Sequence, residues 1–176
     1  MKKNIKIAIS GKSGCGNTTI SKLVADELDL KFINFTFRSL AEEHGIDMEK
    51  VIELAAKDDS WDKEVDNRQL QLAKESEGCV LGSRLAIWIF KEADLKVYLY
   101  AKPETRVKRI MKREGGNFDS VSEYTTFRDK QDHERYLRIY NIDNDDYEFA
   151  DIKIDTDSLN QNEIADIIIK KINIKY

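Results

Sequence analysis

Ten consecutive residues, Ser10-Gly11-Lys12-Ser13-Gly14-Cys15-Gly16-Asn17-Thr18-Thr19, carry the groups that could grip a chain of phosphates. Gly11, Gly14 and Gly16 let the backbone curl and aim successive N–H groups at one anion. An apolar run, Ile5 to Ile9, precedes them, and a helical pattern through Ile20, Leu23, Val24 and Leu28 follows. Strand, glycine-rich turn and helix are the setting of the phosphate-binding P-loop, G-x-x-x-x-G-K-[ST], to which the helix dipole adds positive potential. Thr18 stands where that pattern wants a Mg²⁺-binding hydroxyl, and Asn17 stands where it wants a lysine. The cradle is backbone, so residues 11–19 are expected to bind phosphate. The missing charge bears on catalysis more than on binding. The competing reading is a strand-to-helix turn that holds no ligand.

Arginines are the second feature. Arg106, Arg109 and Arg113 fall at i, i+3 and i+7, one helical stripe expected opposite an apolar side of Val107, Ile110 and Met111. Arg128 and Arg135 are seven apart, with Arg138 nearby. Guanidinium groups near a phosphate cradle can clamp the charge that develops during phosphoryl transfer. A solvated face salt-bridged to Asp132 and Glu134 is the alternative. Arg38 and Arg84 follow expected strands, and Arg84 lies between apolar residues, so its charge calls for an anionic partner. Asp62, Asp66 and Gln69 share one helical face, with Arg68 alongside; a carboxylate and an amide there can read the edge of a base, and surface solvation competes equally.

The elements that must position these residues alternate. Strands are expected near 5–9, 31–35, 79–81, 95–100 and 151–155. Residues 36–77 read as helical in two or three pieces, with Asp47 as a cap and Ser60 as a start. Further helices are expected over 84–90, from Pro103 to Gly115-Gly116, over 120–140, and through Ile164, Ile167, Ile168 and Ile172. Such alternation predicts one α/β domain, a parallel sheet covered on both faces. The helical inserts, about 36–77 and 112–142, exceed what a crossover needs and suit substrate lids.

Composition narrows the classes. The 176 residues are 41% hydrophobic and 35% charged, with net charge −4, which gives no support for a nucleic-acid or anionic-membrane surface. No apolar run approaches the ~20 residues of a membrane helix. Met1-Lys2-Lys3 opens no secretory pattern, and Cys15 and Cys79 form no framework or metal spacing, so a reduced, cytoplasmic protein is expected.

Taken with Phe37-Arg38, Asp62-Lys63-Glu64-Val65-Asp66-Asn67-Arg68-Gln69, Arg84-Leu85-Ala86-x-Trp88, Ala93-Asp94-Leu95-Lys96, Arg106-Val107-Lys108-Arg109-Ile110 with Arg113-Glu114, Arg128-x5-Glu134-Arg135-Tyr136, Tyr140-x-Ile142-Asp143 and Ala150-Asp151 leading to Ile154-Asp155-Thr156, the loop resembles that of the nucleoside monophosphate kinases, in particular the short archaeal and bacterial cytidylate kinases. The resemblance spans nearly the whole chain. It implies a P-loop NTPase three-layer sandwich, adenylate-kinase-like, with strand order 2-3-1-4-5. It implies a monophosphate-binding insert at 36–77 and a lid at about 112–128.

The implied activity is ATP- and Mg²⁺-dependent phosphorylation of a nucleoside monophosphate, CMP or dCMP, in pyrimidine nucleotide metabolism. In that scheme Gly11, Lys12, Ser13, Gly14, Cys15, Gly16, Asn17, Thr18 and Thr19 bind ATP, and Thr18 takes the metal. Arg106, Arg109 and Arg128 face the triphosphate or its transition state. Arg38, Arg84 and Arg135 hold the acceptor phosphate, and Asp62, Asp66, Arg68 and Gln69 surround the base. The partner is a small nucleotide, with no nucleic acid or membrane, and the chain is a monomer or homodimer.

The chain departs from the family at Asn17, at Gly82-Ser83, where an acidic residue and a glycine are usual, and at Asn67, where an arginine is common. The rival readings are a nucleotide-binding protein with little or no transfer activity and a kinase for another small metabolite. A second class of P-loop ATPases, with loops resembling G-K-G-G-x-G-K-[ST], carries an extra phosphate-contacting lysine at the place of Lys12, commonly acting across a dimer. That similarity makes Lys12 a candidate catalytic charge beside Arg128 and Arg135; a solvent-facing loop lysine is the alternative.

Overall fold

The computed structural model describes residues 4–175; Met1-Lys2-Lys3, read above for a leader, lie outside them. Five strands, β1 (Lys6–Gly11), β2 (Lys31–Ile33), β3 (Cys79–Gly82), β4 (Leu95–Tyr100) and β5 (Ile152–Asp155), form one parallel sheet. Their order is β2-β3-β1-β4-β5, as the resemblance implies. β1 is central, paired Ile7 to Val80 on one side and Ile9 to Val97 on the other.

Period-two alternation divides the core. Ile7, Ile9, Leu95, Val97 and Leu99 pack with α1 (Asn17–Leu28) and α8 (Gln161–Lys175), while Ala8, Leu81 and Tyr98 face α5 (Ala86–Ile89) and Phe90. Ile7 and Ile9 are fully buried, which stabilises the fold by about 1.5–3 kcal/mol for each side chain. Truncating either to Ala would cost ~2–5 kcal/mol.

The expected helical stretch 36–77 resolves into α2 (Phe37–His44), α3 (Met48–Ala55) and α4 (Ser60–Glu75). Thr36 caps α2 by accepting from the Ser39 N–H, with Ser39 reciprocating. Asp47 occupies the N-cap of α3 as expected but makes no side-chain cap bond. The expected strand 31–35 ends at Ile33, because Asn34 and Phe35 turn away to line the cavity described below.

Pro103 opens α6 (Pro103–Glu114), and α7 (Phe118–Tyr140) runs 23 residues with Asn117 capping the Ser120 N–H. The segment 112–128 is therefore a helix end, a short glycine turn and the first half of α7. No helix among the described residues is long and apolar enough to cross a membrane.

Candidate active site

The P-loop sits between β1 and α1, at the carboxyl end of the central strand. Gly14 (φ 85°) has no room for a side chain, since an added Cβ would lie 2.9 Å from Arg106. Gly16, the N-cap of α1, offers no capping side chain, so the first N–H groups of that helix stay open to a ligand. Thr18 and Thr19 are exposed at this end, whereas Cys15 is turned into the core and burial raises its thiol pKa.

In front of the loop lies a cavity of about 460 Å³ lined by Gly11–Gly14, Gly16–Thr19, Asn34–Phe37, one face of α4, and Gly82–Leu85. Lys12, Arg84, Arg113, Arg128 and Arg135 supply positive charge to its wall. Asp62, Asp66 and Gln69 of α4 also line it; Asp62 and Gln69 are buried, together with Val65 and Ala73, and Asp66 is half-buried. A wider cleft of about 810 Å³ continues past Gly14, Gly16 and Thr19 to Arg109, Lys112, Leu159 and Asn160–Asn162.

Asp132 on α7 organises the arginines. One of its oxygens accepts from Arg84 Nη1 at 2.7 Å and the other from Arg135 Nη2 at 2.8 Å. Arg135 Nε lies 3.3 Å from Asp62 Oδ1 without a hydrogen bond. Burial raises the Asp62 carboxyl pKa, with Arg135 opposing. Asp66 is raised to about 6 by burial, against a 2.6 Å hydrogen bond from Tyr140 Oη. Gln69 Nε2 donates to the other Asp66 oxygen at 3.3 Å, which leaves Oε1 as an acceptor.

Among the described residues, four buried side-chain polar atoms lack a partner, and three of them, Gln69 Oε1, Ser83 Oγ and Arg135 Nε, belong to residues lining the main cavity. Buried polar groups are nearly always paired, so this concentration marks a place built for a polar ligand.

Several expected residues lie elsewhere. Arg68 does not line the cavity and donates to Glu43 on α2, with bonds of 3.1 and 3.2 Å, because it precedes Gln69 by one residue and so lies one step around the helix. Arg38 is exposed and does not line the cavity, although its neighbours Thr36 and Phe37 do. Arg106 is not on a face opposite Val107: it is 6% exposed, and it lies behind the loop. Its Nε donates to Ser13 O at 2.7 Å, and its terminal nitrogens to both oxygens of Asp129 at 2.7 and 2.8 Å. Arg109 donates to Gly14 O and to Thr156, so both guanidiniums bind loop carbonyls instead of facing the main cavity. Lys12 lines the cavity with its ammonium 2.6 Å from Asp145 Oδ1.

Nothing in the sequence singled out Asp129 or Asp145, and Thr156 and Tyr140 stood within family-like segments without an assigned role; Arg106, Lys12, Arg109 and Asp66, which they bind, lie from 23 to 133 positions away. His133, Asp143 and Asp145 bring possible ligand atoms within 4.8 Å of one another, but Asp145 is engaged by Lys12 and His133 by Asn144, a charge-compensated cluster.

A 2-3-1-4-5 parallel sheet, with an anion-cradling loop after β1 and an arginine-lined cavity at the strands' carboxyl ends, defines a P-loop kinase. Among solved structures, shikimate kinase from Acinetobacter baumannii shares this fold, with TM-score 0.67 and 17% identity over 98% of this chain and 96% of that one. The chain belongs to the cytidylate kinase-like family, whose profile matches residues 6–158. It is 50% identical over 178 residues to Cytidylate kinase 2 of Borreliella burgdorferi, covering 97% of this chain and 98% of that protein. It is 36% identical over 173 residues to Cytidylate kinase of Archaeoglobus fulgidus, covering 97% and 96%.

Proposed function

We propose that the chain transfers the γ-phosphoryl group of ATP to CMP or dCMP. The observation that carries this reading is one cationic cavity at the P-loop, three of whose lining residues hold a polar atom without a hydrogen-bond partner, in a member of this family. An acceptor oxygen of the monophosphate attacks the γ-phosphorus, the bond to the β-phosphate oxygen breaks, and ADP leaves. No covalent enzyme intermediate is needed. The protein aligns the two phosphates, neutralises charge and excludes water.

The loop N–H groups and Lys12 would hold the phosphate chain of ATP, with its adenosine in the wider cleft beside Arg109. Arg84 and Arg135 would take the acceptor phosphate in exchange for Asp132, while Arg113 and Arg128 reach the transferring group. The donor set at the metal position is a hydroxyl one: Thr18 would ligate Mg²⁺ and the orphaned Ser83 Oγ would accept from its water shell, a fit without a carboxylate. The metal would neutralise charge on the phosphate oxygens.

Gln69 Oε1 suits the exocyclic amino group of cytosine. Uracil would set a carbonyl against it and leave two acceptors unpaired, a penalty of about 1–3 kcal/mol. Residues 36–77 serve as the monophosphate-binding insert and 112–128 as the lid, in a monomer or homodimer acting in the cytoplasm.

The neutral Asn17 favours a second reading, a nucleotide-binding protein without transfer. A coupled ADP-release assay with Mg²⁺-ATP across CMP, dCMP, UMP, AMP and no acceptor decides between them. Fastest turnover with CMP or dCMP is expected. ATP binding without turnover on any acceptor would establish the second reading, and AMP at or above CMP would remove the cytidine assignment.

A further inference from the structure

From the contacts behind the P-loop, we infer that Asp129 and Arg106 are positioning residues that set the orientation of the phosphate cradle. This rests on the reading of residues 11–19 as the ATP phosphate site.

A trans peptide unit is planar, with its C=O and N–H pointing opposite ways. Arg106 Nε holds the Ser13 carbonyl at 2.7 Å from the rear of the loop. The N–H of Gly14, in the same peptide plane, is thereby turned to the front, where Gly14 lines the main cavity. Arg106 also fills the space that a Gly14 side chain would need. The loop can neither rotate that peptide nor shift backwards without breaking this contact.

A guanidinium 6% exposed holds such a position only if its charge and remaining donors are satisfied. Asp129 satisfies both through a bidentate pair at 2.7 and 2.8 Å. Arg109, anchored on Thr156, repeats the arrangement one peptide further on, at Gly14 O. Asp129 directly follows Arg128, which lines the cavity, so one turn of α7 fixes both the cradle and the lid arginine in relation to each other. With Asn17 in place of lysine, the cradle depends more heavily on correctly aimed backbone N–H groups.

Inorganic tripolyphosphate, titrated calorimetrically, probes the cradle without adenosine, acceptor or turnover. Asp129→Asn should weaken its binding roughly tenfold, the affinity equivalent of one charge-assisted hydrogen bond. Asp129→Glu should recover most of the loss, and Arg106→Lys should reproduce it; the KM for CMP should stay within about twofold of wild type in all three. Unchanged tripolyphosphate affinity in Asp129→Asn overturns the inference. So does a loss shared equally by tripolyphosphate and CMP that follows the melting temperature and is not recovered by Asp129→Glu. If Asp129→Asn does not fold, Arg106→Lys is judged by the same criteria, and failure of both to fold makes the pair a folding element and overturns the role. Wild-type protein that binds tripolyphosphate but phosphorylates nothing refutes the kinase reading and leaves the clamp to be judged; wild-type protein that ignores tripolyphosphate refutes the cradle itself.

Discussion

Ser21 occupies the volume that a side chain at Gly82 would need: its Oγ lies 2.5 Å from the point where a Cβ on residue 82 would be placed. The same hydroxyl donates to Asn17 Oδ1 at 3.4 Å. Asn17 and Gly82, the last residue of β3, two places where the chain departs from the pattern it resembles, therefore meet at one serine.

Placing an acid at position 82 alone should be costly. Ser21 is fully buried on α1, so Gly82→Asp must push a helix and should cost about 1–3 kcal/mol, a fall of roughly 2–12 °C in melting temperature. Ser21→Gly in that background should recover part of the loss. A Gly82→Asp protein that melts at the wild-type temperature would show that the serine is not the obstacle.

Asp66 gives a stability dependence on pH with a definite sign. Burial raises its pKa from 3.8 to about 6, so the folded chain holds this proton more tightly than the unfolded chain. The resulting stabilisation is fully present below about pH 3.8 and is lost as pH rises through about 6, an effect on the order of 3 kcal/mol. Asp66→Asn should therefore melt higher than wild type at pH 8 and no higher at pH 4. A variant whose advantage is the same at both pH values would rule out Asp66 titration as the cause.

The alternating elements could be read from sequence because each is signalled locally: period-two apolar runs, the glycine turn, Pro103 at a helix start; the strand order β2-β3-β1-β4-β5 came only through the family resemblance. Arg84, Asp62, Asp66 and Gln69 were legible as cavity residues for a similar reason, since strand ends and helical spacing place them. Arg106 was not. Its helical stripe pointed to solvent or ligand, and only the packing of α6 and α7 behind the loop buries it against Asp129. Arg68 lies one rotation step off the cavity-lining face, and only the position of Glu43 on α2 reveals its partner. Side-chain pairs across helices carry no signal in a single sequence, so ion-pair partners were the part that needed the structure.

Arg84 tests the acceptor side. Its guanidinium is held on Asp132 at 2.7 Å, and the residue lines the cavity. Arg84→Lys cannot reproduce a bidentate grip on phosphate, so the KM for CMP should rise roughly tenfold to a hundredfold while that for ATP changes little. If acceptor kinetics are untouched and only the melting temperature falls, Arg84 is an ion-pair partner of Asp132 and nothing more.

Lys12 tests the donor side. With Asn17 neutral and tied to Ser21, the charge that β- and γ-phosphate oxygens require in the transition state must come from another cation near the loop. Lys12 lines the same cavity, but its ammonium is held 2.6 Å from Asp145 Oδ1. Both side chains are partly exposed, at 30% and 54%, so the pair is weak enough to exchange for a phosphate chain carrying several charges. Lys12→Ala should lower kcat by roughly 10²–10³, the usual loss when one transition-state contact of this kind is removed. Asn17→Lys in the Lys12→Ala background should return part of that rate, because a cation then re-enters from the neighbouring turn. Asp145→Asn releases Lys12 without removing it and should keep kcat within a few fold of wild type. Wild-type kcat in Lys12→Ala would shift the role to Arg113 or Arg128, which line the same cavity.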